Sequence, residues 1–207
     1  MDVNTVRLIL ASSSKYRQQQ LANLGINTDA IAPGIDETAS AGEKPDALAA
    51  RLASEKAATV ADAHPSAIVI GADQVAVVND GDTTHVLGKP GTHENAVRQL
   101  KLCVGKAVEF YSAVSVCHKD SDKQVTRVEI TTVTFLELTD KEIQQYLLAE
   151  TPYDCAGSFK SEGRGVLLFD RIASRDPNAL IGLPLMLLRD LLSELDVSLL
   201  DIACSAG

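Results

Sequence analysis

Positive charge is scarce in this sequence: 19 lysines and arginines stand against 28 aspartates and glutamates, a formal net charge of −9 over 207 residues. That balance excludes a broadly basic surface of the kind that grips a DNA or RNA backbone. It still allows a small anionic ligand, because a few lysines gathered in a cleft override a distant global charge. The expected partners are therefore small molecules rather than nucleic acid. Paired cysteines are missing too. The four cysteines, Cys103, Cys117, Cys155 and Cys204, form no C-x-x-C pair and have no zinc-like spacing, so they read as buried, reduced thiols. Long apolar runs are also lacking. The chain opens Met-Asp-Val-Asn with no cationic leader, and its first apolar run, Val6 to Ala11, is too short for a signal peptide or a membrane span. The expectation is a cytoplasmic protein without membrane contact. No low-complexity linker or internal repeat divides the chain. It is expected to fold as one domain over residues 1–207, long enough to bury most of its apolar surface and compatible with a homodimer.

What is present is ordinary globular material, 45% hydrophobic and 23% charged. Val6 to Ala11 (VRLILA) reads as a buried strand. Ser14 is suited to cap a helix from Lys15 to Leu24, ended by Gly25. Asp46 to Ala63 has helical spacing, with Leu48, Leu52 and Val60 on one side. Ala67 to Ala72 (AIVIGA) predicts a second buried strand that ends in polar residues, and Val108 to Val116 a third. Val125 to Leu138 alternates apolar and polar residues, as a half-exposed strand should. Thr139 and Glu142 form a capping box for a helix from Asp140 to Leu148. A last helix is expected from Pro184, a favoured first-turn residue, to about Leu195. Asn79 to Thr84 (NDGDTT) reads as a turn. Mixed strands and helices imply an α/β fold.

Four polar clusters lie at strand ends or in loops, where α/β folds place ligands. Ser12-Ser-Ser-Lys-Tyr-Arg17 follows the first strand and opens a helix, whose free N–H groups and positive dipole end suit phosphate. Ser12 and Ser14 add hydroxyls, and Arg17 adds a forked cation. A serine-capped helix with a surface arginine explains the same letters. Gly71-Ala-Asp73-Gln74 places a carboxylate just beyond a buried strand, where it can hold a divalent metal or orient water, or simply end the strand. Gly88-Lys89-Pro90 sets a cation between a flexible and a rigid residue. Cys155-Ala-Gly-Ser-Phe-Lys160-Ser-Glu162-Gly163 is a glycine-containing loop whose backbone can approach a ligand closely. Glu37, in Asp36-Glu-Thr38, and Lys56, in Glu55-Lys-Ala57, are weak signals alone.

In combination and order these motifs resemble the Maf nucleotide pyrophosphatases. The resemblance rests on Ser12-x-Ser14-x-x-Arg17, Asp36-Glu37-Thr38, Glu55-Lys56-Ala57, Gly71-Ala-Asp73-Gln74, Gly88-Lys89-Pro90 and Gly182-Leu-Pro184, and spans Leu8 to about Leu195. It implies an inosine-triphosphatase-like α/β fold, with a central mixed sheet and two lobes flanking a cleft. It also implies a hydrolase in which water attacks the α-phosphorus of a nucleoside triphosphate and diphosphate leaves. Gln74 and the loop through Lys160, Glu162 and Gly163 are similar to the 7-methyl-GTP subgroup; the dTTP/UTP subgroup typically has threonine after the aspartate. Tyr16 stands where the methyl-GTP subgroup often carries tryptophan.

The resemblance points to Asp73 as general base, with Glu37 and Lys89 completing the catalytic set. A divalent ion, Mg²⁺ or Mn²⁺, is implied, with Glu37 and Asp73 as oxygen ligands. Arg17, Lys56 and Lys89 would face phosphate oxygens. Tyr16 would stack on the cationic methylated base, Glu162 would accept from the guanine edge, Gln74 would help set base preference, and Lys160 would also bind substrate. Two other readings stay open: the same chemistry on dTTP or UTP, and a non-catalytic nucleotide-binding regulator of septum formation.

Overall fold

The computed structural model describes residues 7–205. Val6 and the opening Met-Asp-Val-Asn therefore lie outside the described residues. Seven strands form one mixed sheet in the order β2-β1-β3-β5-β6-β7, with β4 beside β3. They are β1 (Leu8–Ala11), β2 (Asp29–Ala30), β3 (Ile68–Asp80), β4 (Thr83–Leu87), β5 (Ala107–His118), β6 (Lys123–Phe135) and β7 (Phe169–Ala173). The helices are α1 (Lys15–Asn23), α2 (Pro45–Ala63), α3 (His93–Cys103), α4 (Asp140–Glu150), α5 (Leu185–Ser193) and α6 (Leu199–Ser205). The described chain packs as two compact units. One holds the chain to Gln74, Ser112–Glu129 and the chain from Asp176; the other holds Val75–Tyr111 and Ile130–Arg175.

In the first unit β1 pairs in parallel with β2 and with β3, Leu8 opposite Ile68 and Ala11 opposite Gly71. Alternation along β1 sends its side chains into two separate cores. Leu8 and Leu10 pack with Ile68, Ile70 and the α5 leucines, whereas Ile9 and Ala11 pack with Val69 and with Ala57, Val60 and Ala61 of α2. A strand covered on both faces must be apolar at every position, which is why LILA shows no alternation. Leu187, Leu188, Leu191 and Leu192 put the apolar stripe of α5 into the first of these cores. Such a side chain contributes about 1.5–3 kcal/mol on full burial.

The second unit gathers four aromatic rings. Phe159 meets Phe110, Phe135 and Phe169 edge to face, with centroids 5.5, 5.8 and 4.8 Å apart. The turn expected at Asn79 to Thr84 is the antiparallel β3–β4 hairpin, whose register ends at Asp80 opposite Thr83. Gly81 takes φ +59 there, a conformation open to glycine at no steric cost.

Several expected boundaries move. The AIVIGA strand does not end at Ala72; β3 runs on to Asp80, so Asp73 and Gln74 lie inside a strand rather than beyond one. Pro184 caps α5 from outside instead of occupying its first turn, and α5 is followed by α6. Ser14 caps α1 as expected, and Thr139 with Glu142 forms the full capping box of α4. Of the thiols, Cys103 and Cys117 are buried, but Cys155 is half-buried and Cys204 exposed. Burial pushes the Cys103 thiol up to about 12, leaving it inert.

The backbone of α2 presses against β3 at Gly71. A Cβ added there would lie 2.2 Å from the Ala53 carbonyl oxygen and 2.7 Å from the Ala57 nitrogen. Gly71→Ala must therefore push α2 away from the sheet. It is expected to lower stability by about 1–3 kcal/mol, read as a shifted urea midpoint; an unchanged midpoint would refute the close approach.

Candidate active site

The close packing of α2 on β3 carries Lys56, one turn into the contact, onto Asp73. The Lys56 side chain is 7% exposed, and its ammonium lies 2.6 Å from Asp73 Oδ1 and 2.7 Å from Glu37 Oε1. Asp73 is buried because it sits inside β3, while Glu37 reaches in from an exposed loop. An ammonium taken out of water needs negative partners within hydrogen-bond reach, and here it has two. The expected separation into two carboxylates for water and a lysine for phosphate is thus a single charged cluster. The second oxygens, Asp73 Oδ2 and Glu37 Oε2, have no hydrogen-bond partner among the described residues.

Arg17 is placed by α1. Its Nε donates to the Gly182 carbonyl at 2.9 Å, and its Nη1 donates to the Ala72 carbonyl at 2.8 Å and to Ser12 Oγ at 3.3 Å. Burial pulls the guanidinium pKa down, and the charges of Asp73 and Glu37 pull it back up. Three of the five donors expected on phosphate are therefore spent on two of the protein's own carbonyls and the Ser12 hydroxyl. Nη2 is the guanidinium nitrogen without a partner among the described residues. Ser12 Oγ also accepts from the Ser14 amide at 3.1 Å, and Ser14 Oγ from the Arg17 amide at 3.5 Å. Both serines thus shape the start of α1. Tyr16 is half-buried in its first turn.

Gln74, half-buried beside Asp73, spends its amide hydrogens on Ser112 Oγ and the Ala179 carbonyl, each 2.9 Å away. That carbonyl belongs to the loop that leads into the Gly182-Leu-Pro184 motif, to which no role was assigned. Asp176, fully buried, accepts from the Asn178 amide at 2.9 Å, the Asn178 side chain at 3.1 Å and the Met186 amide at 2.6 Å. So held, the loop presents the carbonyls that receive Gln74, Arg17 and, at Asn178 and Leu183, the buried Gln20. Asp-Pro-Asn was the available signal, since aspartate bonds the backbone two residues on in an Asx turn. Nothing in the sequence marked Ser112 or Gly71 for these roles.

The remaining expected residues belong to the second unit. Lys89 is exposed between Gly88, whose carbonyl accepts from Gln99, and Pro90, whose carbonyl accepts from Asn95. It lines a cleft of about 280 Å³ with His85, Asn95 and Arg98. The Lys160 amide donates to Tyr146 Oη at 3.0 Å, and Gly165 comes so close that a Cβ would lie 2.3 Å from the Lys160 carbonyl. Glu162 is exposed. Neither the Lys89 nor the Lys160 ammonium has a carboxylate partner among the described residues.

Among the described residues no group of three or more His, Cys, Asp or Glu side chains forms a self-sufficient metal cage. The free oxygens of Glu37 and Asp73 are nevertheless a fitting set for Mg²⁺ or Mn²⁺, hard ions that take one or two carboxylates and complete their shell with water and substrate phosphate.

Fold and site together define a mixed α/β protein that concentrates carboxylates and cations around the middle of one buried strand. A model of the Maf-like protein family matches residues 7–195, and the chain belongs to that family. A protein of Xanthomonas axonopodis pv. citri named 7-methyl-GTP pyrophosphatase is 51% identical over 91% of this chain and 96% of its own length. Proteins with the same name from Idiomarina loihiensis and Burkholderia orbicola are 48% and 50% identical, over 91% and 93% of this chain and 94% and 91% of theirs. A solved HAM1 protein from Coxiella burnetii, 9% identical, aligns over 65% of this chain and 75% of that one with a TM-score of 0.41, a likeness too slight to bear on the fold.

The asymmetry of the charged cluster makes a stability test. Lys56→Met leaves the buried Asp73 carboxylate without its cation and should cost about 1–3 kcal/mol in urea unfolding. Glu37→Gln changes a side chain that is 59% exposed and should cost under about 1 kcal/mol. Equal losses would show that the pair is not the buried half of the cluster.

Proposed function

We propose that this chain hydrolyses 7-methyl-GTP to 7-methyl-GMP and diphosphate. The observation that carries this is the set of relatives bearing that activity as their name, about half identical over nine-tenths of the chain. The buried Lys56–Asp73 pair supports it. Because the family match runs through both compact units, it supports treating the chain as one functional domain.

Lys56 holds Asp73 by Oδ1 and leaves Oδ2 to take a proton from water. The water oxygen forms the new bond to the α-phosphorus, the bond from that phosphorus to the bridging oxygen breaks, and diphosphate leaves with the electron pair. Glu37 would hold a divalent cation directly and Asp73 through the water it deprotonates; when bound, the cation would stabilise negative charge on the phosphate oxygens. The unpaired Arg17 Nη2, Lys89 and Lys160 are assigned to negative charge on the substrate, which they match without needing to lose an internal partner first. Tyr16 and Glu162 are assigned to the base, by cation–π attraction to the methylated ring and by accepting the N1–H and N2–H donors.

Asp73→Asn should lower kcat by about 10²–10⁴-fold with the fold intact; near-normal turnover removes Asp73 from the mechanism. Chelation by EDTA should stop diphosphate release, with Mg²⁺ or Mn²⁺ restoring it, and full activity after chelation would refute the cation. A panel of canonical and methylated nucleotides tests the substrate. Preference for dTTP or UTP would overturn the choice of 7-methyl-GTP.

A further inference from the structure

We propose that Ser112 is a positioning residue that fixes the orientation of the Gln74 amide, so that the neighbour of the general base presents only a hydrogen-bond acceptor to the substrate. This rests on the nucleotide reading above. The geometry is a closed triangle. Gln74 Nε2 donates to Ser112 Oγ and to the Ala179 carbonyl, each at 2.9 Å, while Ser112 Oγ, itself fully buried, donates its one hydrogen to the same carbonyl at 3.0 Å. A carbonyl oxygen can only accept. Turning the amide over would place Oε1 against the Ala179 oxygen and against a hydroxyl whose hydrogen is already committed. The chemistry of the partners therefore assigns which end is nitrogen.

Gln74 Oε1 is left with no partner among the described residues, yet it is not a buried unsatisfied atom; that condition belongs to Gln20 Oε1. Gln74 itself is half-buried, not enclosed. An amide free to turn offers donors or an acceptor and accepts many bases. One locked with its NH₂ inward offers an acceptor alone, which favours the adjacent N–H donors of guanine at N1 and N2 over uracil, whose single N3–H lies between two carbonyl oxygens. Refusing a mismatched polar edge is an effective route to selectivity. Ser112 touches no substrate in this scheme; it acts through Gln74.

The experiment compares kcat/KM for 7-methyl-GTP and UTP in wild type, Ser112→Ala, Gln74→Ala and the double variant. Ser112→Ala should lower the 7-methyl-GTP/UTP ratio by about 3- to 10-fold, in line with loss of one neutral hydrogen bond. In a Gln74→Ala background it should lower the ratio no further. Ser112→Thr, which keeps the hydroxyl, should restore it. An equal fall on both nucleotides, or an undiminished effect without Gln74, overturns the proposal. A direct signature comes from the side-chain ¹⁵N–¹H₂ resonances of Gln74. Both hydrogens should be protected from exchange in wild type and one released in Ser112→Ala; unchanged signals would overturn it. If Ser112→Ala does not fold, Ser112→Cys, close in size and a weak acceptor, carries the same measurements. A wild type that turns over UTP but not 7-methyl-GTP refutes the substrate, and the amide resonances then decide the role of Ser112 alone.

Discussion

An ammonium carried on a buried lysine has to find negative charge inside the protein, and the site is organised around how Lys56 does so. Its partners come from different places: Asp73 from the interior of β3 and Glu37 from an exposed loop. Each needs the lysine for a different reason. A buried carboxylate without a cation is expensive, and an exposed loop glutamate without an anchor samples many rotamers. Lys56 settles both, and it can do so only because α2 lies close enough to the sheet. That distance is set at Gly71, where any side chain would collide with the helix backbone. One missing methyl group thus governs whether the charges meet.

The elements that bury apolar surface were the legible part of the sequence. The uniform apolar run of β1 and the caps of α1 and α4 are local properties, and they appear where the letters place them. The length of β3 was not legible, because Asp73 and Gln74 look like a strand's polar end. Their charge and hydrogen-bonding demands are met by Lys56, Ser112 and Ala179, residues far away in the chain, so no local pattern reveals that the strand continues. The part of the loop around Asp176 that precedes Gly182 was hidden for the same reason. Its purpose is to offer backbone carbonyls, and a carbonyl has no letter.

The motif residues themselves are of two kinds. Asp73, Lys56, Glu37, Arg17, Ser12 and Gln74 lie in one compact unit, where Lys56 pairs with Asp73 and Glu37, Arg17 bonds Ser12, and Gln74 bonds Ser112. Lys89, Lys160 and Glu162 stand on the other unit, exposed or half-exposed. The first group already has protein partners and has to be read through them. Arg17 is the plainest example, since a residue that looks like a phosphate clamp proves to spend three of its five donors on Gly182, Ala72 and Ser12.

The unit that holds the charged cluster is assembled from three stretches of chain, the last beginning at Asp176. Arg17 is bonded to residues 55 and 165 positions away. During synthesis, then, the amino-terminal third of the protein emerges carrying half a site and must wait for nearly the whole chain before the Gly182 carbonyl, the loop behind Gln74 and the leucines of α5 arrive to close it. Contacts of such separation are slow to form and leave apolar surface uncovered meanwhile. The charged site is therefore incomplete until the carboxy-terminal stretch is made: a ribosome that stalls before the last helices releases a protein in which β1 has one of its two cores missing.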